Sequence, residues 1–268
     1  MTMPQSKKPE TPTILQCSGP DAVRFLNGQL TQDTRDLADE ARSSCITNAK
    51  GRLEHFVSIC HGPEPEQVWV ISTHGEADAL HNRLDKYLIA DDVILSDQTG
   101  QWQRIHSEQA LEGASFTRSC PGIWGLGVDN WFPSGSTPTI AALADDEVEQ
   151  RRIQEGIPLW GKELEVGMLP PEAGLDRSAT SFHKGCYIGQ EVISRIRSAG
   201  KLNRRLALFA IQGEAVPGTN LVHDDATCGV ITSVSPNGKF ALGYVTKKAF
   251  EATRYELANG LAERTRWA

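Results

Sequence analysis

Hydrophobic residues along this chain follow two periods, one typical of amphipathic helices and one typical of strands. Helical spacing occurs in two early segments, at Ala22, Phe25, Leu26 and Leu30 and at Ala77, Leu80, Leu84 and Leu88. Strand-like runs lie around these segments, at 43–46, 53–59, 68–71 and 92–95. Helix, hairpin, strand, helix, strand is an order typical of an α+β fold.

The pattern weakens in the middle of the chain. Strands are predicted at 102–105 and 125–128, a loop at 132–139 and a short helix at 147–155. Residues 161–175 carry glycines, prolines and carboxylates with little periodicity, which predicts a long ordered loop. Loops of that kind inside a compact protein are often functional.

Short strands return after Lys201. Four are predicted, at 206–211, 221–222, 229–234 and 240–245. Their spacing is typical of a small antiparallel barrel. The sequence therefore predicts three parts: a disordered tail at 1–12, an α+β portion at 13–200, and a C-terminal β-barrel domain at 201–268.

Composition narrows the function classes. A formal net charge of −7 over 268 residues argues against direct nucleic-acid binding, which needs clustered positive charge. The N-terminus lacks the apolar core of a signal peptide, and no apolar run is long enough for a membrane span. We therefore expect a cytoplasmic protein with reduced thiols and no membrane partner. The six cysteines form no Cys-x-x-Cys pair, so no metal site is expected.

The segment Lys184–Glu191, with the sequence Lys-Gly-Cys-Tyr-Ile-Gly-Gln-Glu, is the strongest chemical signal. Thiolate is the reactive form of cysteine, and a nearby cation or a helix start stabilises it. Lys184 lies two residues before Cys186, and a helix is predicted from Gln190 to Arg197. An isolated cysteine is usually a small buried hydrophobe, but two glycines and a lysine are a costly composition for core filling. We predict that Cys186 is a functional thiol.

This octapeptide resembles the signature of a folate-binding family called YgfZ in bacteria, whose mitochondrial relatives include the iron–sulfur assembly factor IBA57. Further stretches agree in order along the chain, at 19–22, 25–29, 31–33, 48–52, 84–87, 171–176 and 241–245. The resemblance spans roughly residues 13 to 250. The octapeptide is highly specific, and the other stretches are individually weak.

The resemblance implies a fold like that of the glycine cleavage T-protein, an aminomethyltransferase. That fold has two α+β folate-binding lobes and a small antiparallel β-barrel around a central channel. The implied cofactor is tetrahydrofolate or a one-carbon-substituted tetrahydrofolate. The implied partners are iron–sulfur client or assembly proteins, with a link in bacteria to tRNA thiomodification.

Site roles follow from the resemblance and from residue chemistry. Cys186 is the expected nucleophile, redox thiol or transient cluster ligand, and Lys184 its supporting cation. The remaining motif or ligand-contacting candidates are Gly185, Tyr187, Gly189, Gln190, Glu191 and Arg195. Arg195 and Arg197 are candidates for the folate glutamyl tail or a partner's acid groups, because guanidinium matches carboxylate in a bidentate manner. Glu172 and Asp176 are expected to shape the loop facing the cysteine, or to be turn and cap residues only.

One departure from the aminomethyltransferases affects the expected activity. Their hairpin carries an acidic pair that takes part in folate chemistry, whereas Glu54 and His55 occupy the corresponding positions here. Glutamate sets its carboxylate one methylene further out, and catalytic placement tolerates little error, so ordinary aminomethyl transfer is not expected. Glu54 stays a folate-binding candidate, with a surface Glu-His pair as the other interpretation.

Three functions stay open at this point. The first is a folate-dependent accessory protein for iron–sulfur enzymes. The second is a folate-dependent one-carbon transferase, which predicts turnover that depends on Glu54. The third is a cysteine-based redox or scaffold protein without folate binding. Whether the chain is an enzyme is therefore undecided from the sequence.

Overall fold

A computed structural model describes residues 4–64, 66–75, 77–122 and 125–268. Its contacts divide the chain into two compact units. Unit 1 comprises Met1–Leu143 and Ser178–Gln190, and unit 2 comprises Ala144–Arg177 and Glu191–Ala268. The chain therefore leaves unit 1, returns to it for one short segment and leaves again.

The described residues of unit 1 form two five-stranded sheets and two helices. Its strands are β1 Gln5–Ser6, β2 Thr13–Ser18, β3 Arg42–Thr47, β4 Leu53–His61, β5 Val68–Ser72, β6 Ile94–Asp97, β7 Trp102–Ser107, β8 Phe116–Gly122, β9 Gly125–Pro133 and β10 Ala141–Ala142. Its helices are α1 Ala22–Gln29 and α2 Ala77–Asp85. The first sheet has the order β3-β4-β5-β2-β6 and the second the order β10-β1-β7-β9-β8.

The hydrophobic pattern explains how the first sheet is covered. β5 is buried at all five positions, as expected of a central strand packed on both faces. One face of the sheet packs against Phe25 and Leu26 of α1 and Leu80 and Leu84 of α2. These positions are the ones whose helical spacing predicted the two helices.

Aromatic residues fill the space where the first and second sheets meet. The ring of Trp69 lies 5.2 Å from Trp131, 5.4 Å from Phe116 and 5.5 Å from Trp102, between centroids. Rings at these separations and angles attract one another beyond the area they bury. Trp69 and Trp131 are fully buried, so this cluster joins the two sheets of unit 1.

Unit 2 contains a closed barrel and short helices; the last residue of one helix, Ser178, and the first residue of another, Gln190, belong to unit 1. The helices are α3 Asp145–Gln154, α4 Leu175–Ser178 and α5 Gln190–Ala199, with 3-10 helices at Pro170–Ala173 and Lys247–Ala249. The barrel strands are β11 Arg204–Glu214, β12 Asn220–His223, β13 Ala226–Val234, β14 Phe240–Thr246, β15 Arg254–Leu257 and β16 Asn259–Trp267. They close in the order β11-β14-β13-β12-β15-β16. The predicted C-terminal antiparallel barrel is confirmed.

Two predictions about the organisation of the chain need correction. The tail is not loose over residues 4–12: β1 pairs with β7 and β10, and Glu10 bridges to Arg104. The polar sequence of this segment gave no sign of structure, because backbone pairing and an ion pair hold the segment in place and apolar burial does not. The predicted boundary at residue 200 also differs from the observed one, because 144–177 and α5 pack with the barrel.

The middle of the chain is also more regular than predicted. β9 extends to Pro133, into the predicted loop, and β8 has no counterpart in the prediction. The predicted loop at 161–175 contains the 3-10 helix Pro170–Ala173. In the described part of the chain, no helix is long and apolar enough to span a membrane.

Candidate functional site

The thiol of Cys186 lies at the surface, in the loop that precedes α5. All six cysteines fall within the described ranges, and the other five, Cys17, Cys45, Cys60, Cys120 and Cys228, are buried. Burial raises the pKa of Cys17, Cys45 and Cys60 to about 12, which keeps them as thiols. Cys186 is therefore the cysteine that an external reagent or partner reaches.

The loop that carries Cys186 is fastened to unit 1 on both sides of the thiol. Before it, the Thr31 hydroxyl donates a 2.6 Å hydrogen bond to the carbonyl of Ala179. After it, the Thr47 hydroxyl donates a 2.6 Å bond to the carbonyl of Ile188, whose N–H donates to the carbonyl of Gly28 at 3.1 Å. A side chain on an anchored loop is held in one place, and the Cys186 side chain is exposed there.

The two glycines of the motif differ in their structural need. Gly189 has φ +87°, and a Cβ there would lie 2.6 Å from the carbonyl oxygen of Asn48 and 2.7 Å from the Thr47 hydroxyl. Only glycine fits that position. At Gly185 a Cβ would meet no described heavy atom within 4 Å. The fold requires Gly189 and leaves Gly185 free of steric constraint.

Lys184 is buried and points its amine at main-chain oxygens. Its Nζ donates to the carbonyls of Leu30 and Gln32, both at 2.7 Å. Burial lowers the pKa of Lys184 to about 7, and Asp33 opposes that shift. Lys184 thus holds the start of the cysteine loop against the segment after α1. Its predicted role as the cation that supports the thiolate stays a prediction.

Tyr187 is the second buried side chain of the motif. It is 6 % exposed, and Lys184 Nζ lies 5.3 Å from its ring centroid. Among the described residues its buried hydroxyl has no hydrogen-bond partner. Burial raises the pKa of this phenol, so it stays protonated. A buried hydroxyl without a partner is costly, and a bound polar ligand or an ordered water removes that cost.

Glu54 does not stand free on the hairpin. Its carboxylate accepts a short ion-paired hydrogen bond from Nε of Arg83 in α2. Arg83 also donates to Oε1 of Gln29 at 3.1 Å and to the carbonyl of Thr47 at 2.9 Å. Burial lowers the pKa of the neighbouring His55, which favours its neutral form. The carboxylate that was predicted to meet folate thus has an arginine partner that the sequence did not indicate.

Three of the four predicted residues of α5 are exposed. Arg195 and Glu191 pair with each other one helical turn apart, with side chains 70 % and 84 % exposed. Arg197 is also exposed, and Gln190, half-buried, is the first helical residue. Surface pairs of this kind contribute little to stability. The roles of Gln190, Glu191, Arg195 and Arg197 toward a ligand or partner stay predictions.

Glu172 and Asp176 belong to unit 2 and border a cavity of about 100 Å³. Glu172 accepts a 2.8 Å hydrogen bond from Nε of Arg204, and Glu165 accepts one at 2.9 Å from the same guanidinium. The guanidinium carbon of Arg205 lies 4.5 Å from the centroid of the Trp267 ring. Arg204 and Arg205 therefore both make contacts within unit 2.

Sequence reasoning missed the side chains that hold the motif in place. These are Thr31, Thr47 and Arg83, which come from three segments far from the cysteine in the chain. No sequence motif has a spacing that links any of them to the cysteine. Thr31 lies inside one of the resembling stretches, at 31–33, which was the one available signal. Residues of this kind are found only when the fold shows what they contact.

No family model matches the chain. Among curated proteins it is similar to the "Iron-sulfur cluster assembly factor IBA57 homolog, mitochondrial" of Neurospora crassa, 29 % identical over 222 residues. That alignment covers 72 % of this chain and 50 % of the relative, so the chain spans about half of that relative's length. It is also similar to the "tRNA-modifying protein YgfZ" of Edwardsiella ictaluri, 28 % identical over 231 residues, covering 75 % of this chain and 69 % of that protein.

Among solved structures, the chain resembles the glycine cleavage system aminomethyltransferase T of Bartonella henselae. The TM-score is 0.80 at 16 % identity, over 98 % of this chain and 86 % of that one. These findings confirm the resemblance to proteins named YgfZ and IBA57 and the predicted T-protein-like α+β fold.

Proposed function

We propose that this chain is a tetrahydrofolate-binding accessory protein for the assembly, maintenance or repair of iron–sulfur enzymes, with Cys186 as its working thiol. The observation that carries the proposal is the exposed Cys186 on a loop anchored at Ala179 and Ile188. The names of two relatives, one an iron–sulfur cluster assembly factor and one a tRNA-modifying protein, supply the context.

The geometry suits a thiol that acts on a partner. An exposed cysteine can ligate iron transiently, exchange with a disulfide or attack an electrophile, and each of these needs access to the sulfur. A buried thiol such as Cys45 can do none of them. Because the loop is fixed by backbone contacts on both sides, substitution of the sulfur alone leaves its anchoring intact.

Folate binding is supported by the octapeptide and by Tyr187. The buried Tyr187 hydroxyl has no described partner, and a pterin offers several donors and acceptors to such a group. Its aromatic ring also suits contact with a flat heterocycle. We propose tetrahydrofolate or a one-carbon-substituted form as the ligand, with Glu54 and Arg197 as further contacts.

The relatives' names leave the compartment open, since one of them is mitochondrial. A cytoplasmic location stays a prediction from the N-terminal composition. An iron–sulfur enzyme that modifies tRNA is one client class consistent with the bacterial relative's name.

The first experiment is calorimetric titration of the reduced protein with tetrahydrofolate and 5-formyltetrahydrofolate. The titration compares the wild type with two variants, Cys186→Ala and Cys228→Ala. Cys228→Ala is the matched control because it removes a buried thiol. We expect all three to bind folate with similar affinity. A folded wild-type protein that gives no heat with either folate contradicts the folate part of the proposal and favours a thiol-only scaffold.

The second experiment tests the thiol in cells that lack the endogenous protein. The measurement is the activity of an iron–sulfur enzyme that depends on it, at matched protein levels. Cys186→Ala is expected to lose support of that enzyme, and Cys228→Ala to retain it. Full support by Cys186→Ala contradicts a working thiol. Turnover of a one-carbon unit that disappears in Glu54→Gln would favour the transferase alternative instead.

A further inference from the structure

A second group of reactive side chains lies in the second sheet of unit 1. Nδ1 of His106 is 2.9 Å from Oδ1 of Asp129 and 3.3 Å from Sγ of Cys120. The three potential ligand atoms all lie within 4.8 Å of one another. The function proposed above uses none of these residues.

Strand pairing brings the three groups together. His106 is on β7, Cys120 on β8 and Asp129 on β9, and β9 lies between the other two strands. His106 is directly opposite Asp129 in the register of β7 and β9. The ring of His106 packs on Gly127, where a Cβ would lie 2.7 Å from Nε2. The imidazole is therefore held in place by the sheet.

These groups are buried among charged and aromatic neighbours. His106 and Cys120 are each 7 % exposed and Asp129 is 4 % exposed. Nη1 of Arg104 lies 3.4 Å from Oδ2 of Asp129, and the same guanidinium is paired with Glu10. Burial and the adjacent carboxylate raise the pKa of the Cys120 thiol. Burial of polar groups costs free energy, so packing alone does not explain why a thiol, an imidazole and a carboxylate lie together in one buried place.

We propose that His106, Cys120 and Asp129 form a site for a divalent cation of the zinc class. Imidazole nitrogen, thiolate sulfur and carboxylate oxygen are the ligands that zinc takes in proteins. Zinc bonds of about 2.0–2.3 Å place tetrahedral ligands about 3.3–3.6 Å apart. The observed separations of 2.9 and 3.3 Å need to change by only a few tenths of an ångström.

Arg104 and Glu10 carry opposite charges and pair with each other. The Asp129 carboxylate and a Cys120 thiolate then supply the two negative charges that balance a divalent cation, and binding of the cation releases the Cys120 proton. Arg104 stays on the outer oxygen of Asp129, where it orients the ligating carboxylate.

The alternative is a hydrogen-bonded triad without metal, and cobalt(II) separates the two. Cobalt(II) occupies zinc sites, and a thiolate ligand gives it an ultraviolet charge-transfer band. The full chain is used in a Cys186→Ala background, so that the exposed thiol does not contribute. Cobalt is added to the folded protein and also during refolding, since the site is buried. We expect one tightly bound cobalt with the thiolate band, displaced by zinc.

Variants of the cluster and of a matched buried cysteine complete the test. Cys120→Ala is expected to lose the band, and Cys120→Ala and Asp129→Asn are each expected to weaken cobalt binding at least tenfold. Cys45→Ala, which removes a buried thiol of unit 1 outside the cluster, is expected to keep both. If Cys120→Ala does not fold, Cys120→Ser, which keeps the shape, replaces it. No bound cobalt in the folded and refolded background protein, or a band that persists without Cys120, overturns the proposal.

Discussion

The hydroxyl of Thr47 donates a 2.6 Å hydrogen bond to the main-chain carbonyl of Ile188, two residues after the exposed cysteine. The carbonyl of Thr47 in turn accepts a hydrogen bond from Arg83. The end of β3 therefore joins the cysteine loop to helix α2.

Thr47→Val keeps the branched shape of the side chain and removes its hydroxyl. The half-buried carbonyl of Ile188 then loses its partner, and we expect the free energy of unfolding to fall by about 1–2 kcal/mol. Urea denaturation measures it. Thr47→Ser, which retains the hydroxyl, is the control and should recover most of the loss. Equal losses in both variants would contradict the importance of this bond.

Gly189→Ala and Gly185→Ala form a matched pair within one motif. At Gly189 the added methyl meets the Asn48 carbonyl and the backbone must leave φ +87°, so we expect a loss of about 2 kcal/mol or more. At Gly185 the space is open, and the expected change is within about 0.5 kcal/mol. Thermal unfolding of both variants compares them directly. A stable Gly189→Ala protein would mean that the loop has another accessible conformation.

Lys184→Met tests the buried amine through pH. Because the folded-state pKa of about 7 is below the usual 10.5 of lysine, the unfolded chain binds more protons between these values. Wild-type stability therefore rises with pH in that window relative to Lys184→Met, by at most about 1.4 kcal/mol per pH unit. Urea unfolding of both proteins between about pH 7 and pH 9.5 measures the difference. A difference that stays constant with pH would place the amine in a solvated, charged state.

Arg83→Met removes the charged group that joins Glu54, Gln29 and Thr47. Its side chain is 8 % exposed, so the lost hydrogen bonds are expected to cost about 2 kcal/mol, with Glu54 limited to a modest share because it is 31 % exposed. Arg24→Met is the matched control in unit 1. Arg24 pairs with Asp21 and Asp91, but its side chain is 68 % exposed, and its loss should change stability by less than about 0.5 kcal/mol.

Arg195→Ala tests whether this residue of α5 contributes to binding, because its removal is expected to leave stability almost unchanged. The Glu191–Arg195 pair is exposed, so the free energy of unfolding should stay within about 0.5 kcal/mol of wild type. If Arg195 meets a folate tail or a partner, folate affinity or support of the iron–sulfur enzyme falls while stability does not. Unchanged binding and unchanged support would remove Arg195 from the candidate site.

Local patterning predicted elements better than it predicted their assembly. The positions of α1 and α2 follow from helical spacing of Phe25, Leu26, Leu80 and Leu84, because one face of each helix is apolar. The last two barrel strands, Arg254–Leu257 and Asn259–Trp267, were missed. Charged residues occupy many of their outward positions, so the inward residues, such as Tyr255 and Ala262, form no apolar run.

The candidate site shows the same limit. The thiol motif is one contiguous segment, so the sequence alone revealed it. Its anchors Thr31 and Thr47 lie far from it in the chain, and no motif joins them to it. His106, Cys120 and Asp129 lie on three paired strands at separations that match no ligand motif. Such groups converge through strand register, which is a property of the folded sheet and not of local spacing.

The division of unit 1 into two stretches of chain has a consequence for its synthesis. The ribosome makes Met1–Leu143 first and must then complete Ala144–Arg177 before the returning segment Ser178–Gln190 exists. At elongation rates of roughly 5–20 residues per second, this takes several seconds. During that time the carbonyls of Leu30 and Gln32 lack the hydrogen bonds that the amine of Lys184 donates in the folded protein. Closure of the first unit is thus a late event on the ribosome, and a nascent chain released before residue 190 lacks the segment that completes it.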